Sequence, residues 1–391
     1  MNILYTLTSY PPAIGGAQIH THLLVQQLAQ QHTITVTSHW KENRTDWLLG
    51  TTLNHPIPLN YQIDNIPVRQ LGFTIPQKLF LAPWVLLYYP LMPIAIPLIA
   101  HTIHQQLKNL APTADLIHNV RIGREGLSWA SYYLARQRNI PFVFTPLHHP
   151  RWVGWRYREY IKLYQQADAA IALTPTEKQT LITLGVNPDR IHITGIGPVL
   201  APQADPEHFR HTYGITGPIV LFLGQHYAYK GYRQVLEASK IVWQQHPDTQ
   251  FVFIGPPVKA SEAIFTEFAD PRIHRLGTVS VQDKTNALAA CDLLCVPSTQ
   301  ESFGGVYVEA WSFKKPVIGG RIPAIADVIT DTIDGLLVNQ NSQEIAEAIL
   351  YLLNHSTHST NMGLAGYEKV QKQYTWVQLA KKVEDIYTSL K

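Results

Sequence analysis

Two carboxylates eight positions apart, Glu301 and Glu309, stand in the stretch PSTQESFGGVYVEAWSFKKPVIGG at residues 297–320. The first precedes a glycine-containing helix start and the second lies inside that helix. From Gly304 to Glu309 a helix rises about 7.5 Å, so the two carboxylates divide a ligand rather than share one of its atoms. A carboxylate near a helix start can accept from sugar hydroxyls, and one further along can grip ribose hydroxyls. Exposed backbone N–H groups between them can meet a phosphate. An acidic first turn that serves only helix stability is the plainer alternative.

Other residues suit the same chemistry. Gly15 and Gly16 stand between a strand-like run and a helical one, where glycine lets phosphate approach a helix start. Gln18 and His20 follow just inside that helix, where they can point toward an acceptor. In LFLGQHYAYKGY, residues 221–232, Lys230 follows a strand and a loop and offers a flexible point charge to a departing diphosphate. His148 and His149 close the run PFVFTPLHH, and His118 ends another strand-like run.

The elements that must hold these residues alternate between strand and helix. ILYTLTSY, ITVTSH, DLIHNV (115–120), PFVFTPL (141–147) and AAIALT (169–174) read as strands, with helical stretches such as AQIHTHLLVQQLAQ and GLSWASYYLARQRN between them. Thr174 to Glu177 reads as a helix start and Gly185 as its stop. A second series begins with PIVLFLG (218–224) and continues through FVFIG, RIHRLG, DLLCVPS and KPVIGG. The Pro- and Gly-containing stretch 186–218 separates the two. The pattern predicts two α/β units with open parallel sheets facing one another across a cleft, and a final amphipathic helix returning to the first unit.

The Glu301–Glu309 segment resembles the Glu, seven residues, Glu signature of retaining glycosyltransferases of family 4, which have the GT-B fold of two Rossmann-like domains. The resemblance implies an N-terminal acceptor domain over 1–190, a nucleotide-sugar domain over 191–370 and a returning helix over 371–391. It implies that Glu301 lies at the hydroxyls of the donor sugar and Glu309 at the ribose, with the backbone of Phe303, Gly304, Gly305 and Val306 wrapping donor phosphate and sugar. By the same resemblance Gly15 and Gly16 help close the site over diphosphate and acceptor, Lys230 neutralises the leaving group, and His148 contacts the donor sugar. Val279, in GTVS, marks the segment beside the base. Gln225 stands where the family commonly has arginine, a loss of one charge, and Asp327 ends the region that resembles the usual Gly-Ile-Pro-Glu. The implied activity is retaining, metal-independent hexosyl transfer from a UDP- or GDP-linked sugar, with no cofactor, to a glycan, lipid-linked or small-molecule acceptor. A nucleotide-sugar epimerase or phosphorylase of the same fold and a degenerate glycan-binding scaffold are the competing readings.

Composition sets the surroundings of this chemistry. The chain has 391 residues, enough for two ordinary domains, and 46% of them are hydrophobic. Its formal charge of +3 is too balanced for a nucleic-acid binder by default. Residues 1–200 carry 15 basic and 9 acidic side chains, a surplus of +6, and the remainder carry 16 and 19, or −3. Two cysteines, no export-type leader, and neither an HExxH motif nor an Asp-x-Asp argue for a reducing, cytoplasmic setting without a metal site. Residues 79–100, LFLAPWVLLYYPLMPIAIPLIA, carry no charge over 22 positions. That is long enough to span a bilayer, but prolines 83, 90, 93 and 97 interrupt it, so a packed helix or a peripheral contact with a membrane is expected. RWVGWRYREYIK, residues 151–162, interleaves four basic side chains with four aromatics and suits an anionic lipid surface or a large acidic acceptor.

Overall fold

A computed structural model describes residues 1–13, 15–40, 58–121, 125–148 and 152–391. The chain separates into two units, one of Met1–Thr194 with Trp376–Lys391 and the other of Gly195–Thr375. Each is a twisted sheet clothed in helices.

In the first unit the strands are β1 (Asn2–Ser9), β2 (Thr33–Trp40), β3 (Leu59–Ile63), β4 (Ile66–Gln70), β5 (Leu116–Val120), β6 (Phe142–Thr145), β7 (Ala169–Ala172) and β8 (Ile191–Ile193). They lie in the order β3-β4-β2-β1-β5-β6-β7-β8, parallel throughout except for the β3–β4 hairpin. Parallel strands need helical crossovers that cover both faces, so central strands here are apolar on both sides. In β1, Leu4 faces a core shared with the helices Met92–Leu110 and Glu125–Arg138. Ile3, Tyr5 and Leu7 face the opposite core, formed with the helices Gly16–Leu28 and Trp376–Ser389. The C-terminal helix is therefore a core element of this unit, to which it contributes Leu379, Val383, Ile386 and Tyr387.

The charge-free segment is two helices, not one span. Ile75–Leu86 starts at a capping box made by Thr74 and Gln77, contains Pro83, and yields at Leu87 to a short turn before Met92–Leu110. Leu81, Val85, Met92, Ile96 and Ile99 enter the core. Among the described residues no helix is long and apolar enough to cross a membrane.

The second unit holds β9 (Ile219–Leu223), β10 (Gln250–Ile254), β11 (Ile273–Gly277), β12 (Leu293–Val296), β13 (Val317–Gly320) and β14 (Gly335–Val338), all parallel, in the order β11-β10-β9-β12-β13-β14. The strand order reverses between β9 and β12, which pair through Val220 and Leu221 with Leu293 and Leu294. Diverging connections at such a switch point leave a crevice at the carboxyl ends of the two strands.

Candidate functional site

The loops that leave β9 and β12 are tied to one another. Thr299 N donates to the carbonyl of Tyr229 at 2.8 Å, and the Gln340 amide bridges the carbonyls of Tyr229 and Pro297 at 3.0 and 2.9 Å. Gly231, with φ +83°, ends the first loop and starts the helix Tyr232–Val242. A β-carbon there would stand 2.8 Å from the Pro297 ring and 3.0 Å from its carbonyl oxygen. Glycine thus permits both the left-handed turn and the close approach. The result is that Lys230 Nζ bonds Glu301 Oε1 in a partly buried ion pair. These residues are 71 positions apart in the chain.

Beyond Glu301 the chain turns at Gly304, φ +84°, into the helix Gly305–Trp311. The position a β-carbon would take at Gly304 is 2.4 Å from the Tyr307 ring, and Tyr307 is itself fixed by its hydroxyl donating to Val296 O at 2.7 Å. Phe303 is buried against the edge of Tyr374. N–H groups in the first turn of any helix have no carbonyl one turn back to bond, so those of Gly305 and Val306 suit an anion. One helical turn on, the buried Glu309 takes two donors on Oε1: Lys284 Nζ at 2.7 Å and Val199 N at 3.3 Å. Burial raises the Glu309 carboxyl above its ordinary value, against the pull of Lys284.

Gln225 is exposed in the β9 loop, and Val279 is half-buried just before the helix Val281–Ala290. His226, next to Gln225, is wholly buried among Phe222, Tyr232 and Phe265, and burial lowers its pKa to about 4. It is a neutral core ring. Among the described residues no three His, Cys, Asp or Glu side chains converge as a metal site would require. Cys291 and Cys295 are buried free thiols, the first pushed up to about 12 by burial.

In the first unit His148 ends the loop after β6. Its N–H donates to Glu177 Oε1 at 2.7 Å, and its ring lies edge-on to Tyr164 and Trp152. Glu177 Oε2 accepts from Leu173 N at 2.7 Å, so one buried carboxylate clamps two loops. Burial pushes its pKa up to about 7, against those two bonds. The buried Arg121 guanidinium lies between Trp152 and Tyr160, 3.9 and 3.3 Å from their ring centroids, and donates to Tyr164 OH at 2.7 Å. An aromatic cage thus surrounds the His148 side of the loop.

One family model, described as glycosyl transferases group 1, matches residues 217–355, and a second, described as glycosyl transferase 4-like domain, matches residues 15–197. Between them they take in the second sheet whole and the first from β2 onward. The chain is related to the group 1 and 4-like glycosyltransferases.

Solved structures share the GT-B fold. HepE of Anabaena in complex with UDP and glucose matches at a TM-score of 0.73 with 19% identity over 100% of both chains. Sucrose-phosphate synthase of Thermosynechococcus elongatus matches at 0.74 with 18% identity, over 100% of this chain and 99% of that one. In sequence, a D-inositol 3-phosphate glycosyltransferase of Corynebacterium diphtheriae is 26% identical over 244 residues. The match spans 58% of this chain and 57% of that protein, little more than half its length.

The remaining expected residues of the chain fall as follows. Gly15 caps the helix Gly16–Leu28, and Gln18 folds back over it so closely that a β-carbon on Gly15 would meet the amide oxygen at 2.3 Å. The Gln18 amide donates to Ser9 Oγ, at the end of β1, at 2.9 Å. Around Gly16 there is open space. His20 leans on Trp376, and burial lowers its pKa to about 4. His118 is structural: Nδ1 meets Tyr387 OH at 2.5 Å and Nε2 meets Thr145 Oγ1 at 2.7 Å, and burial lowers its pKa to about 3. His149 and Arg151 lie outside the described residues. Arg121, Lys284 and Gln340 carry no local motif and become visible only in three dimensions, and Glu177 shows in sequence only as a helix-start residue.

Proposed function

We propose that the chain is a retaining, metal-independent hexosyltransferase that moves a sugar from a UDP- or GDP-linked donor to an acceptor hydroxyl. The observation that carries this reading is the Lys230–Glu301 pair, held where the loops of β9 and β12 are joined. Lys230 would turn from Glu301 to the departing diphosphate, joined by the N–H groups of Gly304, Gly305 and Val306. Released from the lysine, Glu301 accepts from sugar hydroxyls and, with His148, orients the ring. Glu309 accepts from the ribose on Oε2 while Lys284 and Val199 hold its other oxygen. Gln225 donates a hydrogen bond without charge, Val279 lies by the base, and Gly15 and Gly16 give the acceptor and diphosphate close access. The acceptor hydroxyl attacks on the leaving-group face, and a phosphate oxygen of the leaving group takes its proton.

The UDP and glucose named with Anabaena HepE favour a uridine donor, while a GDP-mannose-dependent mannosyltransferase of Corynebacterium glutamicum, 24% identical over 183 residues, keeps guanosine in the set. The first unit would bind a glycan, lipid-linked or small-molecule acceptor, and the second the nucleotide sugar. The buried free thiols fit a reducing cytoplasm, and peripheral contact with the inner face of a membrane belongs to the same reading.

A donor-by-acceptor screen read by mass spectrometry tests the proposal. Transfer from a nucleoside diphosphate hexose is expected to fall by about 100-fold or more in Glu301→Gln and in Lys230→Met, with circular dichroism unchanged. Donor turnover without acceptor that survives Glu301→Gln, or transfer untouched by both variants, would overturn it.

A further inference from the structure

The helices Ile75–Leu86 and Met92–Leu110 bury one face and leave the other bare. Ile75, Leu79 and Leu86 follow at i, i+4 and i+11 and so form a single stripe; Leu79 is 70% exposed and Leu86 75%. Phe80 flanks the stripe, and Leu87, Leu91 and Ile94 extend it across the turn into the second helix. The exposed prolines 76, 83, 90, 93 and 97 lie on this bare side and add apolar area without an N–H to satisfy. A surface of this extent on a monomer marks an interaction site.

A second segment adjoins it. Trp155, 54% exposed, packs edge-on against Tyr89 in the turn between the helices, with ring centroids 5.9 Å apart. The Arg156 guanidinium lies 5.2 Å from the Tyr89 ring centroid, and Arg158 lies 5.7 Å from that of Trp155. Val153 is exposed on the same short stretch. Basic charge prevails on the exposed side: no acidic residue occurs between Asp64 and Asp115, Lys78, Arg156 and Arg158 are basic, and Glu159 beside them is buried and paired with Lys162 at 2.8 Å and Arg158 at 3.7 Å.

We propose that this face is a docking surface for an anionic lipid bilayer, with the two helices lying in the plane of the interface. The chemistry selects this occupant. Leucines and prolines supply an apolar layer, Trp155 and Tyr89 are amphipathic rings suited to the headgroup depth, and Arg156 and Arg158 meet lipid phosphates. The proline-broken pair, half committed to the protein core, lies on the membrane instead of crossing it. This deepens the proposed acceptor reading by presenting the first unit to a lipid-borne acceptor, but the docking itself does not rest on sugar transfer.

The test is flotation of the full chain, without donor or acceptor, on phosphatidylcholine vesicles with and without phosphatidylglycerol. Binding to the anionic vesicles is expected, weaker at high salt and weak on phosphatidylcholine alone. Arg156→Ala with Arg158→Ala should bind about thirtyfold more weakly, since each arginine near an anionic surface contributes about a factor of five. Leu79→Ser with Leu86→Ser should also lose binding while leaving melting temperature and turnover on a soluble acceptor unchanged. No binding to anionic vesicles at low salt, or binding that both double variants retain, overturns the proposal. So does a vesicle-free dimer that Leu79→Ser with Leu86→Ser dissolves, which would make a second copy the occupant. Vesicle binding without any transfer would instead strike the hexosyltransferase reading alone.

Discussion

Glu177 shows how one side chain can govern a loop. Among the described residues no lysine or arginine pairs with it; its two oxygens receive the N–H groups of His148 and Leu173. Its folded pKa of about 7 lies above the ordinary 4.5, so the folded chain holds a proton more tightly than the unfolded one. The stability this contributes is complete below about pH 4.5 and is lost as pH rises through 7. Relative to Glu177→Gln, which cannot titrate, the native chain should lose about 3 kcal/mol between those limits, read by urea unfolding at the two pH values. The sequence displays Glu177 as a good helix-start residue, which it is: its own N–H donates to Oγ1 of the Thr174 cap at 3.1 Å. Its carboxylate's hold on the His148 loop, 29 positions away, has no local signature. Arg121 is similarly silent, since only folding brings Trp152 and Tyr160 to its faces.

At the scale of elements, the strands legible in sequence were the apolar runs bounded by Gly, Pro or Asp, among them β1, β5, β6, β9, β10 and β12. The β3–β4 hairpin escaped because β3 is largely exposed and its run NYQIDNIPVRQ alternates weakly, although Asp64 and Asn65, both at positive φ, carry its turn. β8, of three residues, is too short for periodicity to register. The Lys230–Glu301 contact was legible as two separate motif residues, but their meeting depends on β9 lying beside β12, an order that crossovers impose and a linear pattern does not state. Gly231 is the element-level hinge of that contact. Gly231→Ala meets both a disfavoured φ and the Pro297 carbonyl, so it should cost about 1–3 kcal/mol and lower the melting temperature by several degrees. Transfer should fall with it even at temperatures where the chain is folded, because Lys230 is displaced. Equal activity of the variant and the native chain at such a temperature would show that the loop junction does not set the site.

For the whole molecule, the decisive topological fact is that the first unit is made from both ends of the sequence, with Gly195–Thr375 inserted between its parts. Tyr5 OH meets Tyr387 OH at 2.6 Å, and Tyr387 OH meets His118 in turn. Tyr387→Phe leaves these buried groups short of a partner and should destabilise the first unit by about 1–3 kcal/mol, read by hydrogen exchange in β1 and β5. β1 therefore gains its hydroxyl partner 382 positions later, after the entire second sheet has been made. During synthesis the second unit is the one able to finish first, while the opening sheet waits with one face uncovered, a natural client for a ribosome-bound chaperone. A nascent chain arrested at Thr375 should accordingly show protease-resistant Gly195–Thr375 beside a labile Met1–Thr194, and release of the last helix should convert the second to the first's resistance.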